Sequence, residues 1–216
     1  MKFFKKAMDP VSSETHFIGA CMSVLGFFIM ILMCIYNEVN IFDSIGVIVF
    51  CVSLICLYSA SSIYHYFRGK EKIKLILRKL DHSMIYVLIV GTYTPIVISC
   101  MSMNKAMCFL LILWSIALIG VILKIVWIEA PRFISTIIYL ILGWSIVFDF
   151  QSFSILPLSI FSLIAAGGIA YSIGAIIYII KKPNISKLFG FHELFHIFVM
   201  VGSLFHHIAI FMLFMR

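Results

Sequence analysis

The sequence predicts an all-α fold, a seven-transmembrane helical bundle with the N-terminus cytoplasmic and the C-terminus extracytoplasmic. Three observations support it. Hydrophobic residues make up 63% of the 216 and charged residues 12%, with a mean hydropathy of +1.16, whereas soluble domains hold about 45–50% apolar and about 25% charged residues. Seven apolar runs reach the roughly 20 residues that a helix needs to cross about 30 Å of hydrocarbon. The N-terminus and the second, fourth and sixth connections carry every Lys and Arg except Lys105 and Arg216, and the positive-inside rule assigns those connections to the cytoplasm.

The first span, expected at 16–36, follows MKFFKKAMDPVSSETH, in which acidic and polar residues separate the lysines from the apolar run and no small-residue cleavage site closes a short apolar region. Residues 1–15 therefore read as a cytoplasmic N-terminal segment and 16–216 as a single membrane domain. The second span, 44–67, ends on SSIYH and leads into RGKEKIKLILRK, a solvated loop whose charge topology explains. The third, 81–101, is entered through LDH. The fourth and fifth, 106–128 and 132–149, flank the connection bearing Lys124 and Arg132. The sixth, 158–180, contains GGIAYSIG, where Gly167, Gly168 and Gly174 are spaced to let helices approach closely. The seventh, 191–214, contains FHELFHIFVMVGSLFHHIAI, with four of the seven histidines.

The net charge of +7 follows the loops, so it gives no reason to expect a nucleic-acid partner. Cys21, Cys34, Cys51, Cys56, Cys100 and Cys108 lie in or beside the spans without a CxxC pair, which fits packing rather than a disulfide framework or zinc ribbon.

Ionisable residues at membrane depth are costly and mark functional sites. Topology brings several to one level. The second span ends at the cytoplasmic side with His65, the third begins there with Asp81, and the seventh begins there with His192 and His196. Four residues apart on a helix, His192 and His196 share a face about 6 Å apart along the axis. Ser61 and His65 have the same spacing. Three neutral imidazoles with an open fourth position are a zinc arrangement of catalytic type, and a nearby carboxylate supplies a base. His65, His192 and His196 are thus expected metal ligands, Asp81 the base, and Ser61 a hydroxyl beside them. His206 and His207 fall near the middle of the bilayer; His16 and His82 belong to the cytoplasmic layer, where interfacial placement is expected and a place supporting the metal site is the alternative. HELFH also fits the zinc-protease pattern His-Glu-x-x-His, in which Glu193 would be the base and His65 would be idle.

The segments SSIYH, KLDHSMIYVLIVGTYTP and FHELFHIFVMVGSLFHH, with DPVSSETHFIGA near the start, resemble the signature segments of the hemolysin III family, the bacterial branch of the progestin and adipoQ receptor proteins. The resemblance spans nearly the whole chain. It implies a seven-helix plasma-membrane protein with zinc near the cytoplasmic face, the ligand role on His65, His192 and His196, a water-mediated or base role on Asp81 and a supporting role on Ser61. It also implies a membrane lipid as substrate or ligand, since ceramidase-type hydrolysis is proposed for relatives and the bacterial branch is linked to hemolysis and membrane lipid homeostasis. A regulator or cytolysin with structural zinc is the non-enzymatic alternative.

Overall fold

A computed structural model describes residues 4–186 and 189–215. Lys2, Lys187 and Arg216, three of the charges used to orient the chain, lie outside these residues, as does the side chain of Lys5. The helices run in the order α1 (Pro10–Tyr36), α2 (Ile41–Tyr66), α3 (Glu71–Cys100), α4 (Met103–Val126), α5 (Arg132–Gly143), the short α6 (Phe150–Phe153), α7 (Leu158–Ile180) and α8 (Phe191–Phe214). Among the described residues, seven segments are long and apolar enough to cross a membrane, the fifth being the composite Arg132–Phe153.

Local chemistry sets the ends. Pro10 stands at the first turn of α1, where its missing N–H costs nothing, so the helix begins six residues before the expected span. Asn40 caps α2 by accepting from the N–H groups of Phe42 and Asp43. Helix α3 begins ten residues before its apolar run because Glu71–Leu80 is rich in strong helix formers, and hydropathy stops reading a helix where charges begin. The fifth span breaks after Gly143 into a 3₁₀ turn, Ser145–Asp149. There the Tyr93 hydroxyl donates to the Gly143 carbonyl at 2.8 Å and accepts from the Ile146 N–H at 3.1 Å, satisfying backbone groups that lipid would leave unpaired.

The spans form a closed ring in the order α1, α2, α3, α4, α5, α7, α8, with α3 drawn inward against α8 and α5. Of the most apolar stretch of α3, 61% is buried, against 22–44% for the other spans. Exposed Ile, Leu and Phe cover the outer faces, as lipid contact requires. Gly167 lies against the His206 ring and Gly174 against Phe198 and Phe195, so two of the three noted glycines bring α7 and α8 together; at Gly168 a methyl group would reach only ordinary contact with Trp144, at 3.7 Å. The six cysteines are free thiols. Helix α5 is sparsely packed on α3, α4 and α7, and a cavity of about 520 Å³ opens inside the ring between them and α8.

Candidate metal centre

His65 sits in the last turn of α2 and His192 and His196 in the first two turns of α8, so each needs only a helix end at the same level to meet the others. They do meet. One ligand atom from each lies within 4.8 Å of the other two. The ring centroids are 4.9 Å apart for His65 and His192, 5.0 Å for His65 and His196, and 4.5 Å for His192 and His196. His65 and His196 are buried and His192 is partly buried. The Nδ1 of His196 has no partner among the described residues, an unmet demand of the kind a bound cation answers. Three converging imidazoles suit a metal that accepts nitrogen ligands.

A side chain absent from the expected site holds His65. Asp9 occupies the N-cap position of α1, yet its carboxylate does not cap the helix. Its Oδ2 lies 2.9 Å from His65 Nδ1, while its backbone N–H donates to the His65 carbonyl at 3.0 Å. Since the carboxylate can only accept, the proton resides on Nδ1 and the Nε2 lone pair is left facing His192 Nε2 at 3.2 Å. The neighbouring His65 ring in turn holds the Asp9 carboxyl below the usual carboxylate range, with partial burial opposing.

Asp81 is buried about three turns into α3, close to the cluster but outside the set of atoms within 4.8 Å of one another. His82 Nδ1 lies 3.2 Å from Asp81 Oδ2 and 2.9 Å from the Arg78 carbonyl, so that nitrogen carries a proton between two acceptors. The hydroxyl of Ser61, one turn deeper than His65, is buried close to the Asp81 carboxylate but makes no hydrogen bond among the described residues. Ser61, Asp81, His192 and His196 all line the large cavity. The five residues expected at the site are therefore brought together, three as the cluster and two on the cavity wall beside it.

Other expectations change. His16 is not interfacial: it is buried and stacks on His196 with centroids 3.7 Å apart and planes at 10°. Glu193 turns away from the cluster, its Oε1 accepting from Ser12 Oγ at 2.8 Å and its Oε2 from the Gly190 N–H at 2.8 Å. Ser13 and Ser62 exchange hydrogen bonds with each other's carbonyls, at 3.0 Å and 2.9 Å. The first turns of α1 thus tie α2 to α8, the two elements that carry the histidines. His206 lines the cavity further along α8, and His207 packs on Gly26 and Phe50; neither belongs to the cluster. The sequence signal for Asp9 was the Asp-Pro step, a helix start that places this carboxylate at the level of His65.

Residues 4–207 match the family described as Haemolysin-III related. The chain is 36% identical over 190 residues to the Hemolysin-3 homolog of Bacillus subtilis (strain 168), covering 88% of this chain and 86% of that protein. It is 35% identical over 192 residues to Hemolysin-3 of Bacillus cereus, covering 88% and 84%. With its seven membrane-spanning segments and a match across nearly its whole length, the chain belongs to the haemolysin-III related family and is a multi-pass membrane protein.

Proposed function

We propose that the protein is a zinc-dependent hydrolase that cleaves an acyl ester or amide bond in a membrane lipid lodged in the cavity. The supporting observation is that two of the three clustered histidines, His192 and His196, line with Asp81 and Ser61 a cavity of about 520 Å³ whose walls are mostly apolar, within the size range of small-molecule sites. Zinc fits the donor set. Tetrahedral Zn–N bonds of about 2.0–2.1 Å put ligand nitrogens about 3.3–3.4 Å apart, close to the 3.2 Å between His65 and His192.

His65, His192 and His196 would hold the ion. When bound, zinc acts as a Lewis acid toward a carbonyl and makes water more acidic near neutral pH. Asp81 takes the proton from the attacking water and returns it to the leaving alkoxide or amine. The Ser61 hydroxyl donates a hydrogen bond to the oxygen on which negative charge develops. His82 presents its N–H to one carboxylate oxygen of Asp81 and so orients the carboxylate. The apolar walls hold the chains and keep bulk water away.

The protease reading finds less support, because both oxygens of Glu193 are engaged at the start of α8. A non-enzymatic reading draws on the position of the cluster between α2 and α8: the metal would fasten two helices of a regulator, or of a cytolysin as the relatives' name Hemolysin-3 suggests.

Lipid profiling of membranes carrying the wild type beside Asp81→Ala tests the proposal. A lipid depleted and its cleavage product enriched only with the wild type, with zinc retained stoichiometrically by both proteins, is the expected result. Identical lipid profiles with full zinc occupancy would leave the fastening role in its place.

A further inference from the structure

The mouth of the cavity carries a charge that loop topology does not explain. Lys124, in the last turn of α4, is only 3% exposed and lines the cavity wall, whereas Arg68 and Lys70 before α3 and Lys72 in its first turn are exposed. It makes no hydrogen bond or ion pair among the described residues. The acid on the same wall, Glu129, is engaged by Arg78 through a 2.6 Å contact. Across the mouth, the Arg132 guanidinium lies over the Tyr178 ring at 4.8 Å, and that ring is 6.2 Å from His192. Arg78, Lys124, Arg132 and Lys181 therefore all line this cavity, against two acids, Glu129, which is paired with Arg78, and Asp81, which lies beside the histidines. Because exposed Glu129 and Arg132 are among the lining residues, the cavity reaches the surface here.

We propose that Lys124 and Arg132 bind the acidic headgroup, a phosphate or carboxylate, of the lipid whose chain occupies the cavity. A cation on the wall of a mostly apolar cavity is poorly hydrated compared with one in a surface loop, and an anionic oxygen at this place would supply a partner for it. The guanidinium offers the planar fork that suits such a group, and its stacking on Tyr178 aims it along the wall that leads to His192. The apolar body of the cavity, including Leu88, Ile96, Ile146 and Ile164, then takes the chain. The substrate class narrows from any lipid to an acidic one. This step rests on reading the cavity as a lipid site but not on hydrolysis.

The test uses full-length, metal-free protein in neutral detergent, so that no turnover contributes. Binding of hexadecyl phosphate is compared with that of hexadecyl phosphocholine and hexadecanol by calorimetry. Wild type should favour the phosphate by about tenfold or more, the scale of a charged hydrogen bond. Lys124→Met should remove that preference while leaving hexadecanol binding unchanged, and Lys124→Arg should restore it. Should Lys124→Met fail to fold, the exposed Arg132→Gln must weaken phosphate binding selectively. Inorganic phosphate should not compete at millimolar concentration; full competition would assign the site to a free anion and overturn the lipid headgroup. Equal binding of the three amphiphiles by wild type, or a preference that survives both Lys124→Met and Arg132→Gln, overturns the proposal while leaving hydrolysis open. Failure to bind any of the three removes the lipid cavity together with it.

Discussion

The Asp9 carboxylate lies 2.9 Å from His65 Nδ1, so the residue at the start of α1 decides which nitrogen of His65, at the end of α2, is free. A carboxylate behind a metal-bound imidazole fixes its tautomer and raises its basicity, and loss of such a partner lowers metal affinity about 10–100-fold. Asp9→Asn should therefore weaken zinc binding by that factor in competition with a chromophoric chelator, and His65→Ala should abolish stoichiometric binding. Unchanged affinity in Asp9→Asn would show that His65 needs no orienting partner.

The same contact has an acid-side signature. A carboxyl whose folded-state pKa lies below its unfolded value of about 3.9 contributes stability that is present above that value and lost as pH falls through the lower, folded one. Asp9 is such a group, with His65 as the main cause. Its side chain is 42% exposed, so solvent screening keeps the contribution small. Melting temperatures of metal-free protein between pH 5 and pH 3 should fall less steeply for Asp9→Asn than for wild type. Parallel curves would mean that the pair contributes nothing to stability.

Glu193 gives a prediction that separates two zinc chemistries. Its carboxylate accepts from Gly190 N–H through one oxygen and from Ser12 Oγ through the other; a glutamine keeps one oxygen for the Gly190 N–H, and its NH2 donates to the Ser12 hydroxyl, which can turn to accept. Glu193→Gln should leave zinc content and lipid turnover as in the wild type. Glu193→Ala should cost about 0.5–2 kcal/mol, the usual loss for an N-terminal cap. Abolished turnover in Glu193→Gln with zinc intact would restore the protease motif as the working one.

Much of this was legible in the sequence, for a reason that also sets its limit. Hydropathy and loop charge order residues along the membrane normal, and that one coordinate was enough to put His65, Asp81, His192 and His196 at one level. It carries no information on position around the ring. That α3 lies innermost and that α5 packs loosely enough to leave a cavity follow from side-chain shapes across helices, which no single run displays. The polar turns of α1 were lost for a related reason: Asp9, Ser12 and Ser13 lie before the apolar stretch, so a reading by hydropathy left them outside the membrane domain. Lys124 counted as one more loop charge because exposure cannot be read from charge.

At Gly46, α2 approaches α3 so closely that only a hydrogen atom fits between them. A methyl group built at Gly46 would stand 2.9 Å from the Pro95 Cα and 3.2 Å from its nitrogen. Two effects of Gly46→Ala oppose each other. Alanine is favoured over glycine inside a helix by about 0.8–1.0 kcal/mol, while forcing a methyl group into a filled contact costs about 1–3 kcal/mol. At many glycines the two nearly cancel, since the neighbour is a side chain that can swing aside. Here the neighbour is the backbone of α3, so relief requires the two helices to move apart, and α3 also carries Asp81 and packs against α4 and α8. Overpacking should win, leaving a net loss of about 1–2 kcal/mol. The shift should appear as a lower melting temperature in detergent, with zinc stoichiometry unchanged because the three histidines lie at the opposite end of α2 and on α8. A higher melting temperature would mean that α2 and α3 sit further apart than their interlocked glycine and proline require.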